Sequence, residues 1–302
     1  FWNPEINKWN MIMAAGQHME IYTSDNLKDW KYESSFGEGY GNHGGVWECP
    51  DLMKLKVRGT NEEKWMLICN INPGGPFGGS ATQYFTGTFD GKKFTCETAP
   101  EVTKWMDYGK DHYATVSFDN APNGRHVAIA WMSNWQYANQ VPTMQYRSAN
   151  SIPRDLDLYE YAGQTYCGVT PSPEVTAARS KKTTKALSDA CEVVVSLKGT
   201  STITLSNELG EKVVMTYDER ARTFSMDRTK SGQKDFSDDF AALTTAPLHG
   251  KITHLRLFVD RGSIEALDAD GRMSMTNLVF PTKPYNKITL TGRAKHQVFN
   301  LK

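Results

Sequence analysis

Three segments of this chain run from a basic residue into an apolar or aromatic stretch: Lys8-Trp9-Asn10-Met11-Ile12-Met13, Lys64-Trp65-Met66-Leu67-Ile68-Cys69 and Arg125-His126-Val127-Ala128-Ile129-Ala130-Trp131-Met132. They begin 56 and then 61 residues apart. Between them lie short β-rich runs and tight turns, such as Gln83-Tyr84-Phe85-Thr86-Gly87-Thr88-Phe89 followed by Asp90-Gly91-Lys92-Lys93. A period of this size, built of strands and turns, predicts propeller blades stacked against one another. A β-sandwich with similar hairpins is the alternative that the loose repeat leaves open.

The second half has a different pattern. Pro171-Ser172-Pro173 and the basic run Ser180-Lys181-Lys182-Thr183-Thr184-Lys185 predict a surface crossing between domains. Beyond it, Cys191, Val193, Val195 and Leu197 alternate with Glu192, Val194 and Ser196, and Leu255, Leu257 and Val259 alternate with His254, Arg256, Phe258 and Asp260. Turn pairs such as Arg261-Gly262 and Asp270-Gly271 separate further short strands, which predicts an antiparallel sandwich. At 302 residues the chain exceeds the usual single core. We therefore expect a propeller body over residues 1–160 and a sandwich over 161–302 that includes the linker at its start.

Charge and cysteine content narrow the function. Lys+Arg and Asp+Glu are both 34, so no global field directs the chain to nucleic acid or an anionic membrane. Five scattered cysteines form no Cys-x-x-Cys pair, and His43 and His112 lack ligand spacing, which argues against a disulfide framework, a metal site or a metal cofactor. No apolar run is long enough to cross a bilayer, and the start, Phe1-Trp2-Asn3-Pro4, has neither a cleavable signal nor an initiating Met, as expected if the chain begins inside a longer protein. Pro73-Gly74-Gly75-Pro76-Phe77-Gly78-Gly79 lacks the Gly-Lys-Ser/Thr ending of a phosphate cradle and is expected to be a mobile loop.

The chemistry concentrates in Gly45-Val46-Trp47-Glu48-Cys49-Pro50-Asp51-Leu52. A carboxylic acid flanked by an indole and a thiol can be withheld from water, which raises its pKa and suits it to proton donation. A surface-loop glutamate beside a core Trp is the alternative. Asp111, in Asp111-His112-Tyr113-Ala114, is a candidate acceptor for adjacent sugar hydroxyls, against the plainer role of a turn-forming residue. Trp131-Met132-Ser133-Asn134-Trp135 offers rings for stacking and an amide for hydrogen bonding, or core indoles at a strand end.

These motifs, with Ser24-Asp25-Asn26-Leu27-Lys28-Asp29-Trp30, Ser151-Ile152-Pro153-Arg154 and Leu257-Phe258-Val259-Asp260-Arg261-Gly262-Ser263-Ile264-Glu265, resemble the fructan-hydrolysing enzymes of glycoside hydrolase family 32, the invertases, levanases and inulinases. The resemblance runs nearly end to end. It implies an all-β chain, a five-bladed β-propeller followed by a C-terminal β-sandwich, that cleaves β-fructofuranosidic bonds with retention and uses no cofactor or metal. Glu48 matches the acid/base position. Asp111 and Trp135 match positions lining the fructose pocket, and Trp47, Cys49 and Asn134 are expected to shape it.

One departure is decisive. The family's nucleophile lies in an Asn-Asp-Pro motif and its stabilising aspartate in an Arg-Asp-Pro motif, and neither occurs here, since Asp155 follows Arg154 but precedes Leu156. About two N-terminal blades are expected to be missing, either present in a longer parent or a separate chain or lost in a truncated product, and residues 1–302 alone are expected to be inactive. The competing class is a noncatalytic carbohydrate-binding protein on the same fold. The expected partner is a fructan or sucrose-type sugar, and a polysaccharide substrate would favour a secreted or periplasmic site.

Overall fold

The computed structural model describes residues 1–184 and 186–302 and is almost entirely β. The first sheet holds β1 (Trp2–Asn3), β2 (Lys8–Ala14), β3 (Met19–Ser24) and β4 (Trp30–Phe36) in chain order. The second holds β5 (Val46–Lys56), β6 (Glu63–Asn72), β7 (Ala81–Phe89) and β8 (Phe94–Cys96), with the two-residue β9 (Lys104–Trp105) also against β7. The third holds β10 (Tyr113–Ser117) and β11 (Val127–Met132), with β12 (Ala149–Asn150) beside β11, then β13 (Arg154–Tyr161) and β14 (Gln164–Pro171). The ladders are antiparallel meanders, and the repeated segments found in the sequence are β2, β6 and β11, the second strand of each sheet. These sheets are propeller-like blades.

The blades meet through apolar layers. Met19, Ile21 and Phe36 of the first pack with Trp47, Leu67, Phe85 and Phe94 of the second. Met53, Leu55 and Met66 of the second pack with Ala128, Leu156 and Leu158 of the third. Burial of one face per sheet is what a four-stranded meander needs for stability, and the neighbouring blade supplies it.

A short helix α1 (Pro173–Ala177) and β15 (Arg179–Thr184) lead into the sandwich. Its spine is the long β16 (Cys191–Ser206). Two wings extend from it: β17 (Lys212–Asp218), β18 (Thr223–Lys230) and β19 (Leu243–Pro247) from its second half, and β20 (His254–Asp260), β21 (Ser263–Asp268) and β22 (Ser274–Leu278) from its first. The final strand β23 (Lys287–Leu301) runs back along all of β16, with a register shift between Leu197 and Ser201. At that bend Gly292 has φ +79°, and a Cβ there would meet Thr200 O at 2.4 Å, so only glycine fits. The predicted alternation holds: Val193, Val195, Leu255 and Leu257 face the sandwich core with Ile203, Leu205, Val213 and Met215.

Two expectations about the crossing change. The β13–β14 pairing runs from Arg154↔Pro171 to Tyr161↔Gln164, so the third blade's hydrogen bonding continues past the boundary expected at residue 160. The basic run is largely strand rather than linker, because β15 pairs with β23 through Arg179↔Leu301 and Thr183↔Phe299; Lys185 lies outside the described residues.

The two bodies are joined by buried charge as well as by apolar surface. Phe258 and Leu267 of the sandwich enter the core between the second and third blades. Arg154 of β13 donates to Asp107 at 2.9 Å, to Glu265 at 2.6 Å and to Thr276 at 2.6 Å. Burial alone would raise the Asp107 carboxyl, but the His112 ring and the Arg154 guanidinium outweigh it and hold it down at about 2. The Ser-Ile-Pro-Arg and Val-Asp-Arg-Gly-Ser-Ile-Glu motifs thus meet at this interface through Arg154 and Glu265.

Candidate active site

The site begins with a defect in a strand. Proline has no amide to give to a ladder, so Pro50 cannot sit in β5 without an irregularity. The register against β6 passes from Glu48↔Asn70 to Asp51↔Ile68, which leaves one extra residue on β5. This is a β-bulge, and Cys49 occupies it with φ +44°. In a regular strand Trp47 and Leu52, five positions apart, would face opposite ways; the extra residue returns both to the core between the first and second blades. Glu48 is left half-buried beside the bulge.

Two polar groups clamp the bulge to β10. Buried Asn70 donates to Cys49 O at 3.0 Å and to Thr115 O at 3.2 Å, while its carbonyl accepts from Thr82 Oγ1 at 2.7 Å and Thr115 N at 2.9 Å. On the other side Asp51 accepts from Ser117 N at 2.7 Å. The Tyr113 hydroxyl donates to Glu48 Oε2. Burial pushes the Tyr113 phenol up, and the Glu48 carboxylate pushes it further, so it stays protonated as a donor.

Tyr113 lies directly opposite Trp131 in the β10–β11 ladder. Their ring centroids are 6.1 Å apart, and Trp131 and Trp135 are 5.0 Å apart. The three rings form a continuous wall leading away from Glu48, and its outer end, Trp135, is 51% exposed. Such a wall can take the C–H face of a sugar while the carboxyl reaches its oxygen.

The other predicted site residues serve different ends. Trp47 is 1% exposed, stacks on His43 at 4.9 Å and donates its indole N–H to Asn42 O at 2.8 Å. It therefore buttresses the loop before Glu48 and makes no pocket wall. Cys49 lies at the surface, yet partial screening of its thiol from water, with the nearby Glu48 charge, pushes its pKa up, so it is no thiolate nucleophile.

Asp111 is fully buried and accepts from Tyr137 Oη at 2.7 Å, from Arg228 Nη1 at 2.6 Å and from Leu278 N at 2.8 Å. Protein donors from the sandwich and its neighbouring loop occupy the acceptor sites expected for sugar hydroxyls. Asn134 is also fully buried. It donates to Gly78 O at 3.1 Å and Lys110 O at 2.9 Å and accepts from Ser80 N at 3.3 Å and Gln136 N at 3.0 Å. Its work is to seat the glycine-rich loop, expected to be mobile, and through Ser80 Oγ, which accepts from Trp135 N at 3.1 Å, to position that indole.

Tyr113 and Asn70, which were not predicted as site residues, complete the arrangement with Trp131, one of the rings offered by the sequence for stacking. The visible signal was an asparagine inside the apolar run of β6, a polar group that demands buried partners. Burial pushes His112 down to about 3, so it is neutral, with Thr115 Oγ1 at 3.3 Å from its Nδ1. Among the described residues no group of three or more His, Cys, Asp or Glu side chains is arranged to hold a metal ion.

The model of the glycosyl hydrolases family 32 N-terminal domain matches residues 1–168, and that of the family 32 C-terminal domain matches residues 158–302. The chain belongs to glycosyl hydrolase family 32. Among family members, a levanase of Bacillus subtilis is 40% identical over 94% of this chain and 46% of its own length. An extracellular exo-inulinase of Aspergillus niger is 35% identical over 99% of this chain and 62% of its own length. The crystal structure of exo-inulinase from Aspergillus awamori superposes with a TM-score of 0.91 at 32% identity, covering 100% of this chain and 66% of that one. The β-fructofuranosidase of Schwanniomyces occidentalis complexed with fructosyl-erythritol follows at 0.84 and 26%. The chain thus spans about half to two thirds of the length of these relatives. The all-β fold expected from sequence, propeller blades followed by a sandwich, is the fold of these structures.

Proposed function

We propose that this chain carries the acid/base half of a retaining β-fructofuranosidase site acting on a fructan or on sucrose. The observation that carries the proposal is Glu48, held at a bulge clamped to β10, bonded by Tyr113 and standing at the head of the Tyr113–Trp131–Trp135 wall. Relatives named levanase and exo-inulinase supply the substrate class. In this scheme Glu48 as an acid protonates the glycosidic oxygen that leaves, a second carboxylate attacks the anomeric carbon of fructose, and Glu48 as a base then activates the water that releases the sugar.

A retaining pair stands roughly 5–5.5 Å apart. The family's nucleophile motif does not occur within these 302 residues, so the partner carboxylate comes from additional sequence, in the same polypeptide or in a second one. The test compares levan, inulin and sucrose hydrolysis by residues 1–302 alone, by the protein that includes the propeller segment bearing that carboxylate, and by its Glu48→Gln form. The expected outcome is no turnover, turnover, and a loss of about 10²–10⁴ in kcat respectively. Unchanged hydrolysis by Glu48→Gln would refute the assignment. Sugar binding with no turnover in the carboxylate-bearing protein would favour the noncatalytic class instead.

A further inference from the structure

A cleft of about 680 Å³ lies away from Glu48, on the propeller rim between β4 and β8, the outer strands of the first and second blades. Its top is formed by the β2–β3 turn, with Gln17 and His18, and by the loop from Gly37 to His43. Both walls belong to this chain, and the size falls within the roughly 300–1,000 Å³ of small-molecule sites.

The lining is polar and of mixed sign. Glu38 and Lys93 are exposed, and neither side chain has a protein partner among the described residues. The half-buried ring of Tyr40 is backed by Phe36 at 5.3 Å, and its hydroxyl bonds no protein group among the described residues. The roof is fixed: Gln17 donates to His43 O at 2.9 Å and Gly45 O at 3.0 Å, and the His43 ring contacts Gly37 O at 3.0 Å. Gly37 has φ +138°, and a Cβ there would lie 2.6 Å from the Trp47 ring, so any larger residue at this position would displace that indole.

A site for anions would concentrate positive charge, and a metal site would cluster ligands; the cleft does neither. One carboxylate, one ammonium, an amide, two imidazoles and an aromatic face suit a partner that both donates and accepts hydrogen bonds at many points and carries no net charge. We propose that this rim cleft is a second carbohydrate-binding site that takes a neutral oligosaccharide. That its natural occupant is a distant stretch of the fructan cleaved at Glu48 rests on the proposed function.

Calorimetric titration of inulin-type and levan-type fructo-oligosaccharides into the protein tests this. Trp135→Ala removes the wall beside Glu48 and should retain binding at the cleft. Adding Tyr40→Ala and Glu38→Gln should weaken that remaining binding at least tenfold, with an unchanged urea midpoint showing that the variant is folded. Equal affinity with and without the cleft substitutions would overturn the proposal. So would complete loss of binding in Trp135→Ala alone, or binding confined to an anionic sugar such as a hexose phosphate. The readout is binding, so it stands apart from the hydrolysis measured with Glu48→Gln.

Discussion

Asp111→Ala separates a sugar contact from a structural tie. The carboxylate and the Arg228 guanidinium it bonds at 2.6 Å are both 0% exposed. Arg228 also donates to Phe240 O at 2.7 Å, Leu278 O at 2.9 Å and Tyr137 Oη at 2.8 Å, so it has no free path to water when its counter-charge is lost. Leaving one member of a buried pair uncompensated costs about 3–5 kcal/mol. The amide of Leu278 and the hydroxyl of Tyr137 each lose an acceptor, roughly another 1 kcal/mol apiece where water cannot replace it. We expect Asp111→Ala to lower unfolding free energy by about 4 kcal/mol or more in equilibrium urea denaturation. Asp111→Leu with Arg228→Met, which removes both charges, should recover most of that loss. A single variant less than about 1 kcal/mol below wild type, or a double variant no better than the single, would refute the reasoning. Weakened sugar binding at unchanged stability would return Asp111 to the pocket.

Two further outcomes are expected. His112 is held down to about 3 by burial, with Asp107 and Arg154 facing it, so below pH 6.5 the unfolded chain binds a proton that the folded chain refuses. Its contribution to stability therefore falls as pH drops from 6.5 toward 3, while Asp268, raised to about 6 by burial, acts in the opposite sense between 6 and 3.8. Replacing His112 with Gln should flatten the acid side of the stability curve by about 3 kcal/mol between pH 6.5 and 4, at about 1.36 kcal/mol per pH unit; parallel curves for the two proteins would exclude His112 as the cause. Gly79→Ala places a Cβ 1.9 Å from Asn134 Oδ1. It should unseat the loop and displace Trp135, weakening sugar binding at the wall by about tenfold while moving the urea midpoint little; wild-type affinity would show that the loop does not position the indole.

The blades were legible because each repeats a local pattern, a basic residue and an apolar strand at a steady interval, that needs no distant partner to be seen. The roles of individual polar residues were less so. Asp111 has the chemistry of a sugar ligand, and what decides its role is Arg228, 117 residues away. Asn134 looked like a polar handle because the loop that consumes it lies more than fifty residues earlier. Trp47 is a different case: strand alternation already places neighbours such as Trp47 and Glu48 on opposite faces, so the indole was a poor candidate for a wall beside that acid. Pro50, by contrast, is a local signal that went unread: a residue with no amide for the ladder points to the irregularity that positions Glu48.

The buried charges between blade and sandwich also set an order of events during synthesis. Asp111 emerges from the ribosome 167 residues before Leu278, whose amide it will bind. At about 5–20 residues per second that is roughly 8–35 s in which the third blade holds carboxylates suited to a partner not yet made. Bringing together residues so far apart carries a loop-closure cost that no local contact offsets. Until the sandwich arrives, Asp111 lacks Arg228 and the amide of Leu278, and the blade's inner layer cannot close around it. The C-terminal body thus serves as the late template on which the third blade completes its folding, and a chain released before β22 would expose that blade to the chaperones and proteases that survey unfinished proteins.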